Sequence, residues 1–212
     1  MRRKFLIASI AALTLAGCHR GKPLLAPSAK HLAERAPDTV RVRFETSRGG
    51  FTVESIREWS PLGADRFYYL VRHGYYDGNR FFRVLPGFVA QFGISGDTAV
   101  ARAWDKLVIR DDSVRVPNKR GTVTFATGGP NTRTTQLFIN YSDANVRLDR
   151  LGFSPFGRVI DGMAVADSLF SYGEGPPRGK GPDQDRITAE GNAYLARDYP
   201  KMDYVISARV IK

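Results

Sequence analysis

The sequence predicts a mainly β protein, built as a closed antiparallel barrel with two α-helices. Many short segments have the apolar–polar alternation or the short apolar run that is typical of strands, and Gly- or Pro-containing turns separate them. Only two segments have the apolar spacing of an amphipathic helix, and most of the strands lie between them. Many short strands with few helices favour a sheet that closes on itself.

The first predicted elements are a β-hairpin and a helix. Residues 40–45 and 51–56 alternate apolar and polar side chains, and a Gly-Gly pair between them supplies the turn. Ser60 then provides an N-cap and Pro61 a first-turn proline. An apolar face at helical spacing follows, and the helix is expected to end at His73, before a glycine.

The rest of the chain predicts strands, a second helix and one long loop. Further strand-like segments lie at residues 80–85, 88–92, 121–127, 136–140 and 156–160. Residues 163–170 have the apolar spacing of a short helix. Residues 171–202 are rich in Gly, Pro and charge and are expected to form a mobile loop, and 204–211 predicts a last strand that returns to the sheet.

The composition excludes several common chemistries. The 212-residue chain is 42% hydrophobic and 25% charged, which suits one globular domain with a sizeable core. It has one cysteine and three histidines, and Cys18, His19 and His31 all lie near the N-terminus, so that only His73 remains beyond. An internal disulfide and a zinc site of four cysteines, or of two cysteines and two histidines, are therefore impossible, and a Ser-His-Asp or Cys-His enzyme is not expected. No metal and no cofactor are predicted.

The N-terminus has the features of an export signal. A cationic start, Met1 to Lys4, precedes a 12-residue uncharged stretch that is too short to span a bilayer. The stretch runs into Leu15-Ala16-Gly17-Cys18, which resembles the lipobox of bacterial lipoproteins. The resemblance implies a signal peptide over residues 1–17 and a lipid anchor on Cys18, hence a protein exported to the bacterial cell envelope and tethered to a membrane. An ordinary secretory signal with a chance cysteine is the alternative.

The predicted signal peptide and lipid anchor lead to predictions of the domain organisation and of the partners. Residues 18–38 are predicted to be a flexible tether, and residues 39–212 the folded domain. Loss of residues 1–17 removes three positive charges and lowers the formal net charge from +11 to +8. The basic residues are scattered, which favours a solvated surface near anionic lipid. An exported protein is not expected to bind nucleic acid, and a monomer is expected.

Three polar residues interrupt otherwise apolar strands and mark a candidate site. They are Arg83, Gln91 and Gln136. Strand alternation places Arg83 on the opposite face from its two apolar neighbours. Taken one at a time, these residues are equally compatible with a surface arginine and with glutamines that bind backbone. Their surroundings are more informative.

The segments around these residues resemble the cyclophilin family of peptidyl-prolyl cis–trans isomerases. The matching motifs, in chain order, are Phe81-Phe82-Arg83 with Phe88-Val89 and Gln91, then Ala126-Thr127 with Gly129-Pro130-Asn131-Thr132, then Thr135-Gln136-Leu137-Phe138-Ile139, then Leu148-Asp149 and Phe156-Gly157-Arg158-Val159. The resemblance covers about residues 39–211. It implies an eight-stranded antiparallel barrel closed by two helices, and isomerase activity on X-Pro bonds in proline-containing polypeptide segments of exported proteins.

The resemblance also implies the roles of individual residues. Arg83, Gln91 and Phe88 correspond to the catalytic set, with Arg83 acting on the prolyl nitrogen and Gln91 orienting it. Substrate is expected to contact Val89, Ala126, the backbone of Thr127, Gln136, Phe138 and Leu148. Counting back from the Phe-Gly motif puts Phe153 in place of the family's pocket histidine, whereas counting forward from Leu148-Asp149 puts Gly152 there.

Several departures from the family pattern keep a second function open. Val89 stands for a methionine, Thr127 for an asparagine, and Arg147 for the tryptophan that is important for cyclosporin binding, so weak sensitivity to that drug is expected. Arg147 and the 152–153 region slightly favour a non-enzymatic module that only holds Pro-containing segments. Arg83 and Gln91 in register oppose this alternative.

Overall fold

The architecture is an antiparallel sheet flanked by helices, seen in a computed structural model that describes residues 22–212. The predicted signal peptide, Cys18 and the first residues of the predicted tether lie outside the described residues. The strands are β1 (Thr39–Thr46), β2 (Gly49–Ile56), β3 (Arg83–Leu85), β4 (Val89–Phe92), β5 (Thr122–Phe125), β6 (Leu137–Asn140), β7 (Pro155–Asp161) and β8 (Val205–Ile211). They form one eight-stranded sheet in the order β3-β4-β6-β5-β7-β2-β1-β8. The prediction of a mainly β fold with eight antiparallel strands is confirmed.

The predicted closure of the barrel is wrong, because the sheet is an open half-barrel. Its edge strands, β3 and β8, do not form a ladder with each other. The chain just before β3 makes isolated backbone bonds across the gap. The Phe81 amide donates to the Asp203 carbonyl (3.0 Å), the Val205 amide to the Asn79 carbonyl (2.8 Å) and the Gly78 amide to the Val205 carbonyl (2.8 Å). Strand β3 has three residues, so it is too short to carry the pairing further.

The described residues contain seven α-helices and a 3-10 helix, where two helices were predicted. They are α1 (Lys22–Leu25), α2 (Ala29–Leu32), α3 (Pro61–Arg72), α4 (Thr98–Trp104), α5 (Met163–Asp167), α6 (Gln184–Glu190) and α7 (Asn192–Asp198), with the 3-10 helix at Asp143–Leu151. The two predicted helices correspond to α3 and α5. The additional α-helices have four or seven residues each and were not predicted from apolar spacing.

Aromatic side chains dominate the main core. The Phe44 and Phe51 rings stack at 5.0 Å across the β1–β2 hairpin, and Phe67 of α3 lies 4.8 Å from Phe156 of β7. All four of these side chains are fully buried. In β1 the buried and less buried positions alternate, as the sequence pattern predicted. This core supports β4, β5 and β6 from one side, which leaves their other side available to form a site.

Residues 22–38, most of the predicted tether, lie against the domain. The Pro23 carbonyl accepts a hydrogen bond from the Tyr69 hydroxyl (3.2 Å), and the Leu24 carbonyl accepts one from the Trp104 indole (2.9 Å). The amide of Ala36, which is buried, donates to Asp65 (2.8 Å). The folded domain thus extends closer to the N-terminus than the sequence predicted.

Residues 171–202, predicted to be a mobile loop, contain α6 and α7. Asp183 caps α6 by accepting bonds from the amides of Asp185 and Arg186. Ile187, Tyr194 and other apolar side chains of this region pack with Phe82 in a second hydrophobic cluster. The few apolar residues among many charges are therefore enough to fix the segment. No helix in the described part of the chain is long and apolar enough to cross a membrane.

Candidate active site

The predicted site residues come together in one cleft of about 390 Å³. All ten residues predicted to act on or bind substrate line it: Arg83, Phe88, Val89, Gln91, Ala126, Thr127, Gln136, Phe138, Leu148 and Phe153. They come from parts of the chain as far apart as β3 and the segment after the 3-10 helix. The motifs that resemble the cyclophilin family are therefore neighbours in space.

Three adjacent strands set the polar side of the cleft. In the β3–β4 ladder Arg83 lies opposite Gln91, and in the β4–β6 ladder Gln91 lies opposite Phe138. Because side chains directly opposite in an antiparallel pair share one face, Arg83, Gln91 and Phe138 project to the same side of the sheet. The register thus places a cation, an amide and an aromatic ring in one row.

A chain of hydrogen bonds runs through the polar residues. Arg83 donates from Nη1 to Oε1 of Gln91 (3.1 Å), and Nε2 of Gln91 donates to Oε1 of Gln136 (2.9 Å). These bonds fix which way the Gln91 amide faces. The Arg83 side chain is only 18% exposed, so Arg83 is not the ordinary surface arginine that its sequence position alone allowed.

The apolar side of the cleft is a hydrophobic cluster separate from the main core. Val89, Phe138 and Leu148 are buried there, and Phe88, Ala126 and Phe153 pack against them. The Phe138 and Phe153 rings meet edge-on, 5.7 Å apart. Such a pocket binds an aliphatic ring by excluding water from it.

Of the two residues between which the alignment is open, Phe153 lines the cleft and Gly152 does not. Gly152 ends the 3-10 helix with a left-handed backbone, φ 83°, which glycine adopts without strain. The Phe153 amide then donates to the Leu148 carbonyl (3.3 Å), which turns the Phe153 ring towards Phe138.

Two arginines lie beside the ring of Phe88. The guanidinium carbon of Arg83 is 5.5 Å from the ring centroid, and that of Arg147 is 5.1 Å away. Both distances fit a cation–π contact. Arg147 does not line the cleft, whereas Arg83 does.

The hydroxyl of Thr127 is used within its own loop. It interacts with the Thr132 hydroxyl (2.8 Å), and the Gly128 amide donates to that same Thr132 hydroxyl (3.0 Å). The neighbouring Ala126 amide donates to the Gln136 carbonyl (2.9 Å), which ties this loop to the polar row. The side chain of Thr127 is therefore occupied, which is compatible with a substrate contact through its backbone.

Sequence reasoning missed Glu174 and Gln184, which also line the cleft. The Glu174 carboxylate accepts hydrogen bonds from Nε and Nη2 of Arg83, both at 2.8 Å. Glu174 lies 91 positions from Arg83 in a segment predicted to be a loop, so no local spacing links the two. An acidic residue between two glycines was the only signal in the sequence itself.

The described residues contain no group of three or more His, Cys, Asp or Glu side chains arranged to hold a metal ion. The polar side chains that line the cleft carry a guanidinium, amides, threonine hydroxyls and one carboxylate. This set can bind and orient a peptide by hydrogen bonds beside an apolar pocket.

Comparisons with known proteins identify the family. The model of the family described as cyclophilin type peptidyl-prolyl cis-trans isomerase/CLD matches residues 41–189. A peptidyl-prolyl cis-trans isomerase of Acinetobacter baylyi is 33% identical over 60% of this chain and 70% of its own length. Peptidyl-prolyl cis-trans isomerase B of Escherichia coli is 28% identical over 79% of this chain and 96% of its own length.

A solved structure agrees with the fold. A cyclophilin-type isomerase of Cryptosporidium parvum covers 82% of this chain and 98% of its own, with a TM-score of 0.59 and 22% sequence identity. The isomerase function predicted from the motifs is confirmed by the family model and the named relatives. This chain belongs to the cyclophilin-type peptidyl-prolyl cis–trans isomerases and is an enzyme of that class.

Proposed function

We propose that Arg83 is the catalytic residue of this isomerase, and that Gln91 and Phe88 complete the catalytic set. Rotation about a peptide bond is slow because resonance gives the C–N bond partial double-bond character, with a barrier of about 18–20 kcal/mol. Exchange at X-Pro bonds takes tens of seconds or more without a catalyst. Catalysis needs no nucleophile; it needs preferential binding of the twisted amide.

Arg83 has the chemistry to stabilise that twisted amide. When the bond twists, the prolyl nitrogen regains its lone pair and becomes a hydrogen-bond acceptor. A guanidinium N–H donated to this nitrogen favours the twisted form over the planar one. Arginine suits the role because its donors lie in a rigid plane and it stays charged at any physiological pH.

The neighbouring residues divide the remaining tasks. Phe88, Val89, Phe138, Leu148 and Phe153 would enclose the proline ring. Ala126, Thr127 and Gln136 would hold the residues that precede proline. The observation that carries the proposal is the hydrogen-bonded row from Arg83 through Gln91 to Gln136 beside the apolar pocket.

The full chain, purified in detergent, provides the test. Arg83→Ala should lower kcat/KM for exchange of an Ala-Pro tetrapeptide by on the order of a hundredfold, because an electrostatic donor in the transition state contributes about 10²–10³ in rate. Two-dimensional NMR exchange measures the rate, and thermal unfolding checks the fold.

Arg147→Ala is the matched control, because Arg147 approaches the same Phe88 ring without lining the cleft. It should keep most of the activity. Unchanged exchange in Arg83→Ala would refute the role of Arg83. A wild-type protein that binds the peptide but does not accelerate its exchange would indicate the binding-module alternative.

We further propose that the enzyme is a lipid-anchored protein of the bacterial cell envelope that assists folding of exported proteins. Support comes from the sequence: the cationic start, the short apolar stretch and Leu15-Ala16-Gly17-Cys18. Anchoring through two or three acyl chains at Cys18 would be stable, where one chain alone gives only marginal binding. The clients would be X-Pro bonds in polypeptides that emerge near that membrane.

A further inference from the structure

Glu174 makes the most specific contact in the cleft that the proposed roles do not use. It lies in residues 171–183, which belong to the segment between α5 and α6. Its two carboxylate oxygens accept from two different nitrogens of Arg83, Nε and Nη2, each at 2.8 Å. The Arg83 and Glu174 side chains are 18% and 28% exposed. This is a two-point ion pair, the arrangement in which arginine binds a carboxylate with two parallel hydrogen bonds.

The ion pair leaves part of the guanidinium available for substrate. An arginine has five N–H donors. Glu174 takes the Nε donor and one on Nη2, and Gln91 takes one on Nη1. One donor therefore remains on each terminal nitrogen. Because the group is planar, partners on two edges also fix the direction of these remaining donors.

The backbone around Glu174 is built to hold the carboxylate in place. The Glu174 carbonyl accepts from the amide of Gly181 (2.8 Å), and Gly181 is itself buried. A Cβ at Gly179 would lie 2.2 Å from that carbonyl oxygen, and one at Gly181 would lie 2.9 Å from it. Only glycine fits these two positions without a shift of the Glu174 backbone.

A second contact joins the segment to the strand that carries Arg83. The Ser171 hydroxyl donates to the carbonyl of Val84 (2.5 Å), the residue that follows Arg83 in β3. The Gly173 amide in turn donates to the Ser171 hydroxyl (3.2 Å). Both ends of the ion pair are thus fixed by neighbouring backbone, which distinguishes this pair from a mobile surface salt bridge.

We propose that Glu174 is a positioning residue that orients the guanidinium of Arg83 so that its two remaining donors face the substrate. The proposal rests on the catalytic role of Arg83. Without the carboxylate, Arg83 would keep one fixed partner, Gln91, and its plane could rotate about the side chain's terminal bonds. Glu174 then acts on the rate of exchange, while peptide affinity comes from the apolar pocket.

Variants of Glu174 in the full, detergent-purified chain test this. Glu174→Ala should lower kcat for an Ala-Pro tetrapeptide by on the order of tenfold, because small losses of orientation have large effects on rate. Glu174→Gln keeps one acceptor and should fall between Ala and wild type. The Kd of the peptide, measured by NMR titration, should stay within about twofold of wild type in both variants, since the pocket is unchanged.

Glu190→Gln is the matched control. Glu190 has the same chemistry and lies at the end of α6, where it pairs with Arg186 and Arg197 away from the cleft. It should leave kcat unchanged. Should Glu174→Ala fail to fold, Glu174→Gln carries the test, since it preserves the size of the side chain.

An Arg83→Lys background shows whether Glu174 acts through Arg83. A lysine has no planar fork to orient, so adding Glu174→Gln there should change kcat by less than about twofold. A full Glu174 effect in that background would indicate a separate structural role and overturn the proposal. So would wild-type or higher activity of Glu174→Ala, which would mean that the carboxylate competes with substrate.

The measurements distinguish an error in the positioning role of Glu174 from an error in the catalytic role of Arg83. If Arg83→Ala loses activity and the Glu174 variants do not, only the positioning role is wrong. If Arg83→Ala keeps activity, the catalytic role of Arg83 itself is wrong.

Discussion

Gln91 links Arg83, the proposed catalytic residue, to Gln136, a predicted substrate-binding residue. Its carbonyl oxygen accepts from Arg83 and its amide nitrogen donates to Gln136, so both ends of one buried amide have a partner. A side chain of this kind cannot turn over without losing two bonds. The orientation of Arg83 therefore depends on Gln136 as well, at one bond further away.

Gln91→Leu should lower kcat/KM by about tenfold, because a hydrogen bond to a charged group contributes about 1.5–3 kcal/mol. Gln136→Leu should have a smaller effect, of about threefold, since it acts on Arg83 only through Gln91. Exchange of a proline peptide measures both, with thermal unfolding to show that each variant is folded. If Gln136→Leu lost more activity than Gln91→Leu, the result would contradict the proposal that Gln136 acts on Arg83 only through Gln91.

The structure brings the ten residues that the family resemblance implies for the site into one cleft. Their roles in catalysis and in substrate binding stay predictions. Phe153 remained open against Gly152, since a count along the chain does not show which residue takes the left-handed turn. Glu174 could not be found, because a contact over 91 positions leaves no local pattern.

At the scale of elements, length alone does not explain which predictions held, since the five-residue α5 was predicted and the nine-residue 3-10 helix was missed. The β1–β2 hairpin and α3 have eight to twelve residues each and were predicted from periodicity alone. Helices α4, α6 and α7 have seven residues each and were missed. Closure of the sheet was predicted wrongly, because it depends on whether the edge strands are long enough to pair, and no pattern within a single strand contains that information.

The turn from Glu174 to Gly181 yields a prediction about an element. Gly179→Ala should lower kcat to about the level of Glu174→Ala, because the new Cβ would meet the Glu174 carbonyl at 2.2 Å and shift the carboxylate away from Arg83. The same exchange assay measures it. The double variant should be no slower than Glu174→Ala alone, since both changes remove one interaction. A further drop in the double variant would mean that Gly179 acts on something other than Glu174.

For the whole molecule, the proposed anchor makes the clearest prediction. Cys18→Ala should abolish labelling by a radioactive or clickable fatty acid in bacteria and leave the signal segment uncleaved, because the cysteine is the site of both steps in the proposed processing. The mass of the purified protein shows whether the signal segment and the lipid are present, and membrane fractionation shows where the protein is located. Because the cleft is formed by residues far from position 18, isomerase activity of the purified variant should equal wild type. Lipid labelling of Cys18→Ala would refute the anchor.

Under the proposed anchoring, the packing of α1 against Trp104 would limit the distance between the folded domain and the membrane. A tether over residues 18–38 would let the domain range about 70 Å from a membrane at full extension. With Lys22 onwards held on the domain, only four residues, 18–21, separate the anchor from the fold, which is about 14 Å at most. That is comparable with the screening length of about 8–10 Å at physiological salt, so the basic surface would stay within the field of anionic headgroups. Anchored as proposed, the enzyme would search for its clients in two dimensions along the membrane surface and would meet chains as they leave the bilayer.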